Sequence, residues 1–81
     1  MNRNHRIVAF EHSPAYVHHR AMMNRRDNRV LDAVELLRQA VERSPENREY
    51  RLDLAELYCE IGCHEQSSRL LLDMLSEENS P

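Results

Sequence analysis

"DAVELLRQAVERSPENREYRLDLAELYCEIG", residues 32–62, carries two helical periods on either side of a single proline. Val30, just before it, leads a run of Ala33, Val34, Leu37, Ala40 and Val41 at the i, i+3, i+4, i+7 spacing of an amphipathic helix. Asp32, Glu35, Arg38 and Glu42 take the opposite face. After Pro45 a second stripe follows, Tyr50, Leu54, Leu57, Tyr58 and Ile61. Between the two, "SPEN" at 44–47 ends one helix and opens the next. The pattern predicts Ser44 as N-cap and Pro45 as first helical residue. A Ser hydroxyl can accept from an orphan amide, and proline lacks an N–H that the first turn leaves unbonded anyway. Gly62 marks the stop, because glycine readily takes the left-handed conformation that ends many helices.

The flanks extend the same theme. Upstream, Ser13 and Pro14 again offer a cap and a first residue for a helix reaching Asp27-Asn28. Its stripe is poor: Tyr16, Val17, Ala21, Met22 and Met23, broken by Arg20 and Asn24. Downstream, a fourth helix starts near Cys63-His64 and carries Ser67, Leu70, Leu71, Met74 and Leu75, with "SEENSP" ending it. Leu71 and Met74 are expected to face inward, and Leu70, Leu72 and Leu75 outward. Residues 1–13 show no helical period and read as an extended or disordered segment, with "RIVAF" as a short extended piece.

Composition agrees with an all-α fold. The chain has 81 residues, enough for one small domain with a modest core. Hydrophobic residues make up 41% and charged residues 31%, which is globular rather than disordered composition. With one Gly and no Thr or Trp, turn-forming and β-branched chemistry is scarce. Net charge is −3 but unevenly placed: residues 1–30 hold six Arg against Glu11 and Asp27, and the remainder is acidic. The apolar run "IVAF" is too short for a secretory signal or a spanning helix, so a cytoplasmic protein without membrane contact is expected.

The four helices repeat. A shift of 34 residues lays Tyr16 on Tyr50, Ala21 on Ala55, Asn28 on Gly62, Ala33 on Ser67, Leu37 on Leu71 and Ala40 on Met74. Small residues recur where two helices must approach closely. This pattern resembles the tetratricopeptide repeat (TPR) family. Ala55, Tyr58 and Gly62 match a first helix and its turn, and Ala33, Leu37, Ala40 and Pro45 match a second helix and its end. The first helix departs from the pattern, with Arg20 where Leu is usual and Asn24 where an aromatic is usual; Val17 and Arg51 replace the Trp-like residue. The resemblance implies two stacked antiparallel helix-turn-helix repeats, an α-solenoid with units 14–47 and 48–81.

It also implies a role. The first helix of each TPR unit lines a concave groove that holds a protein or peptide, which here would place Ala15, His18, Met22, Arg25 and Arg26 opposite Glu49, Leu52, Asp53, Glu56, Cys59 and Glu60. The Lys/Asn set with which some TPR modules clamp a C-terminal carboxylate is absent. Two repeats without a capping helix would leave Leu70, Leu72 and Leu75 as a self-association face. Further repeats of a longer chain are expected to cover that face equally well, and a lid formed by "IVAF" is the third alternative.

Other chemistry is less well supported. Cys59, Cys63 and His64 could supply three ligands to zinc, and Cys63 at a helix start could be a reactive thiolate. A fourth ligand would have to be a distant His such as His18 or His19, Gly62 separates the cysteines, and a turn between two helices with two small apolar fillers accounts for them better. His18 and His19 are adjacent and point to different sides, so they do not form an i, i+4 metal pair. No metal or cofactor is expected. The basic residues 1–30 offer a second reading, nucleic-acid binding, although a solvated helix face explains them as well. A single glycine excludes a phosphate loop, and neither G-x-S-x-G nor H-E-x-x-H occurs, so an enzyme is not expected.

Overall fold

The computed structural model describes residues 13–78. The expectations for "RIVAF" and the rest of 1–12 lie outside them. Four helices follow in order: α1 (Pro14–Arg26), α2 (Val30–Arg43), α3 (Arg48–Glu60) and α4 (His64–Glu78). α1 packs on α2, α3 on α4, and α2 on α3. The chain is therefore two helical hairpins joined through the α2–α3 seam.

Each helix boundary has a local cause. Ser13 Oγ accepts from the Tyr16 N–H at 3.2 Å and Pro14 is the first residue of α1. The two inter-helix turns are built alike. Asn28 has φ 65° and Gly62 has φ 85°. At the first turn the Arg29 and Asn28 amides donate to Asn24 and Arg25 carbonyls; at the second the Cys63 and Gly62 amides donate to Tyr58 and Cys59 carbonyls. Both are Schellman closures, which satisfy orphan carbonyls through one left-handed residue. Asn and Gly are the residues that tolerate it.

At "SPEN" the structure departs from expectation. Ser44 does not cap α3. Its amide donates to the Ala40 carbonyl at 2.9 Å, so it closes α2. Pro45 and Glu46 form the turn, and Asn47 is the N-cap, with Oδ1 accepting from the Tyr50 N–H at 3.0 Å. The motif contains two cap-forming side chains, and the α2 ladder has already claimed the backbone of the first.

The core lies in the seam. Ala21, Ala33, Val34, Leu37, Leu54 and Leu57 form one buried cluster, and Val17, Ala40 and Tyr50 a second. Leu37 and Leu57 are the largest fully buried side chains, each stabilising by about 1.5–3 kcal/mol through burial. Ala21 and Ala33 let α1 and α2 approach closely. In the second hairpin Ser67 stands in place of Ala33, and its buried hydroxyl donates to the Ala55 carbonyl at 2.8 Å, so the substitution leaves no unsatisfied oxygen. Arg51, standing where the first hairpin has Val17, is 7% exposed and grips Glu77 of α4 with two hydrogen bonds of 2.8 Å.

The last helix also divides differently from expectation. Met74 is buried, but Leu70 rather than Leu71 packs against the core. Leu71 is 41% exposed, although its register mate Leu37 is fully buried beneath α3. Nothing among the described residues covers α4 as α3 covers α2. The end of the stack consequently exposes Leu52 (45%), Leu72 (64%) and Leu75 (55%) as well.

Candidate functional site

The stacking sets α1 beside α3, and the expected groove residues meet along that line. His18 Nε2 lies 2.7 Å from Asp53 Oδ2, and its ring stacks on Tyr50 with centroids 4.7 Å apart. Two turns of α1 further on, Arg25 donates to Glu56 Oε1 at 3.1 Å and also to Glu60. The basic wall and the acidic wall are thus bonded to each other. They tie the first hairpin to the second in addition to the apolar seam. Burial works against the Arg25 charge, but the hydrogen bonds to Glu60 and Glu56 outweigh it and raise the guanidinium pKa above its ordinary value. The pairs are partly solvated and individually weak.

The other expected residues distribute themselves. Met22 is half-buried against the core rather than presented as contact surface. Ala15 and Arg26 are exposed, as are Arg20 and Arg29 of the basic stretch. Leu52 and Cys59 line a depression between α3 and α4, shared with Asp53, Ala55, Glu56, Ser67 and Leu71. A second hollow, of about 270 Å³, lies among α2, α3 and α4 and is lined by Val41, Leu54, Tyr58 and Leu70.

The family model for the tetratricopeptide repeat matches residues 25–81, more than half of the chain. The chain belongs to the tetratricopeptide repeat family. The helical pairing described above is that of a TPR stack, a non-catalytic scaffold fold generally used for protein interaction. No curated protein and no solved structure matches the chain. Among the described residues no helix is long and apolar enough to cross a membrane.

Cys59 Sγ comes within 3.8 Å of His64 Nδ1 across the Gly62 turn, and Cys63 is half-buried at the start of α4. Among the described residues the group of three potential metal ligands lies elsewhere: His18, Glu49 and Asp53 each bring a donor atom within 4.8 Å of the others. Sequence reasoning named all three as groove residues and missed that they converge. The available signal was Glu49 and Asp53 four residues apart on the α3 face turned toward α1.

Proposed function

We propose that the chain is a non-enzymatic, protein-binding scaffold of TPR type. Its repeats divide as 14–47 and 48–81, α1 and α3 line a concave contact face, and the α4 end receives a helix from a second copy. The observation supporting this reading is the apolar end formed by Leu52, Leu71, Leu72 and Leu75. A contiguous exposed apolar surface favours association. Two acids beside it are already paired: Arg51 holds Glu77, and Arg48 Nη2 lies 2.8 Å from Glu78 Oε2.

The opposite end of the stack argues for two-fold pairing over head-to-tail stacking. α3 covers α2 with Tyr50, Leu54, Leu57, Tyr58 and Ile61. In α1 and its cap the same positions hold Tyr16, Arg20, Met23, Asn24 and Asp27, so α1 is a poor substitute for α3 on another molecule's open end. An isologous dimer closes, whereas heterologous stacking grows without limit. Light scattering behind size exclusion, with reductant and across a concentration series, tests the reading. The wild type should approach twice the monomer mass as concentration rises, and L72E combined with L75E should remain monomeric with unchanged helix content. A wild type that stays monomeric throughout removes self-pairing.

A further inference from the structure

The geometry points to a divalent-cation site at His18, Glu49 and Asp53 that staples the first hairpin to the second. The donor set is mixed, one imidazole nitrogen and two carboxylates, and its donor atoms lie within 4.8 Å of one another. A first-row divalent ion accepts those donors at about 2.0–2.2 Å. The ligands come from both sides of the hairpin junction, His18 from α1 and Glu49 and Asp53 from α3.

Two further observations separate this cluster from an ordinary acidic patch. First, the imidazole is oriented. It stacks on Tyr50 at 4.7 Å with an interplanar angle of 26°, and the His18 side chain is only 18% exposed. A fixed ring loses little freedom on coordination. Second, among the described residues no arginine forms an ion pair with Glu49 or Asp53. Glu56 and Glu60 share Arg25, Glu77 has Arg51, and Glu78 has Arg48. Glu49 and Asp53 together face one imidazole, and the nearest arginines in sequence, Arg48 and Arg51, are committed to α4. A divalent ion placed among these three side chains brings the positive charge that no arginine supplies there.

Binding replaces the proton shared between His18 Nε2 and Asp53 Oδ2, 2.7 Å apart. The ion then bonds to both atoms and to Glu49, and the imidazole carries its N–H on Nδ1. The stabilisation grows with free cation concentration, because only the folded chain assembles the three ligands. A small domain with a modest core is the kind that gains most from such a staple.

The test uses the full chain, stripped of metal with a chelator, titrated with Zn²⁺ by calorimetry and followed by thermal melting. One equivalent per chain should bind and raise the Tm. E49Q, at an exposed position that leaves packing untouched, should weaken binding about tenfold or more, as should H18A and D53N. C59S/C63S and H5A/H12A should bind as the wild type does. No saturable uptake by the wild type would overturn the inference. So would uptake undiminished in E49Q and H18A, or uptake lost in C59S/C63S or H5A/H12A.

Discussion

At the scale of single residues, Leu37 and Arg51 stabilise the fold by different physics. Leu37 is fully buried in the seam, so L37A removes buried methyl groups and leaves a cavity. The expected loss is about 2–5 kcal/mol, a large part of the roughly 5–15 kcal/mol available to a small domain. Urea unfolding followed by circular dichroism measures it. Arg51 is held by Glu77, whose hydrogen bonds from that guanidinium keep its carboxyl below its ordinary pKa of 4.5. A carboxyl lowered in the folded state stabilises fully above its ordinary pKa, and that contribution is lost as pH falls through the folded value. E77Q should therefore be less stable than the wild type at neutral pH, and the two should converge in acid below about 4.5. A constant gap in unfolding midpoint across that range would contradict the assignment. Arg51 itself was legible only as a departure from the family pattern, since its partner lies 26 residues away on another helix.

At the scale of the helix, caps carry the predictions. Asn47 caps α3 and Ser44 does not, so N47A should cost about 1 kcal/mol while S44A costs distinctly less. Equal losses in a chemical denaturation series would reverse the cap assignment. The four helices, their two left-handed turns at Asn28 and Gly62 and most of the seam were legible because they rest on local periodicity and backbone chemistry. The choice between two caps three residues apart was not, because it depends on where the preceding helix stops. The inward face of α4 was misjudged for a related reason. Leu70 and Leu71 are adjacent leucines on one helix, and which of them packs inward depends on how α4 rotates against α3.

At the scale of the molecule, side-by-side placement of α1 and α3 decides what the groove residues do. Arg25 with Glu56 and Glu60, and His18 with Asp53, are separated by 31 to 35 residues in sequence. Composition could show a basic front and an acidic remainder, but not that the two would bond across the hairpin junction. The asymmetry of the stack was already legible as a broken stripe in the first helix and a leucine-rich last helix: a polar α1 face at one end and an apolar α4 face at the other.

The measurement that tests this account most directly is backbone amide hydrogen exchange, resolved along the chain, at a low and a high protein concentration. Docking of the α4 end predicts that α4 amides slow as concentration rises, while α1 amides exchange at the same rate in both samples. Exchange independent of concentration throughout α4, or slowing confined to α1, would contradict it.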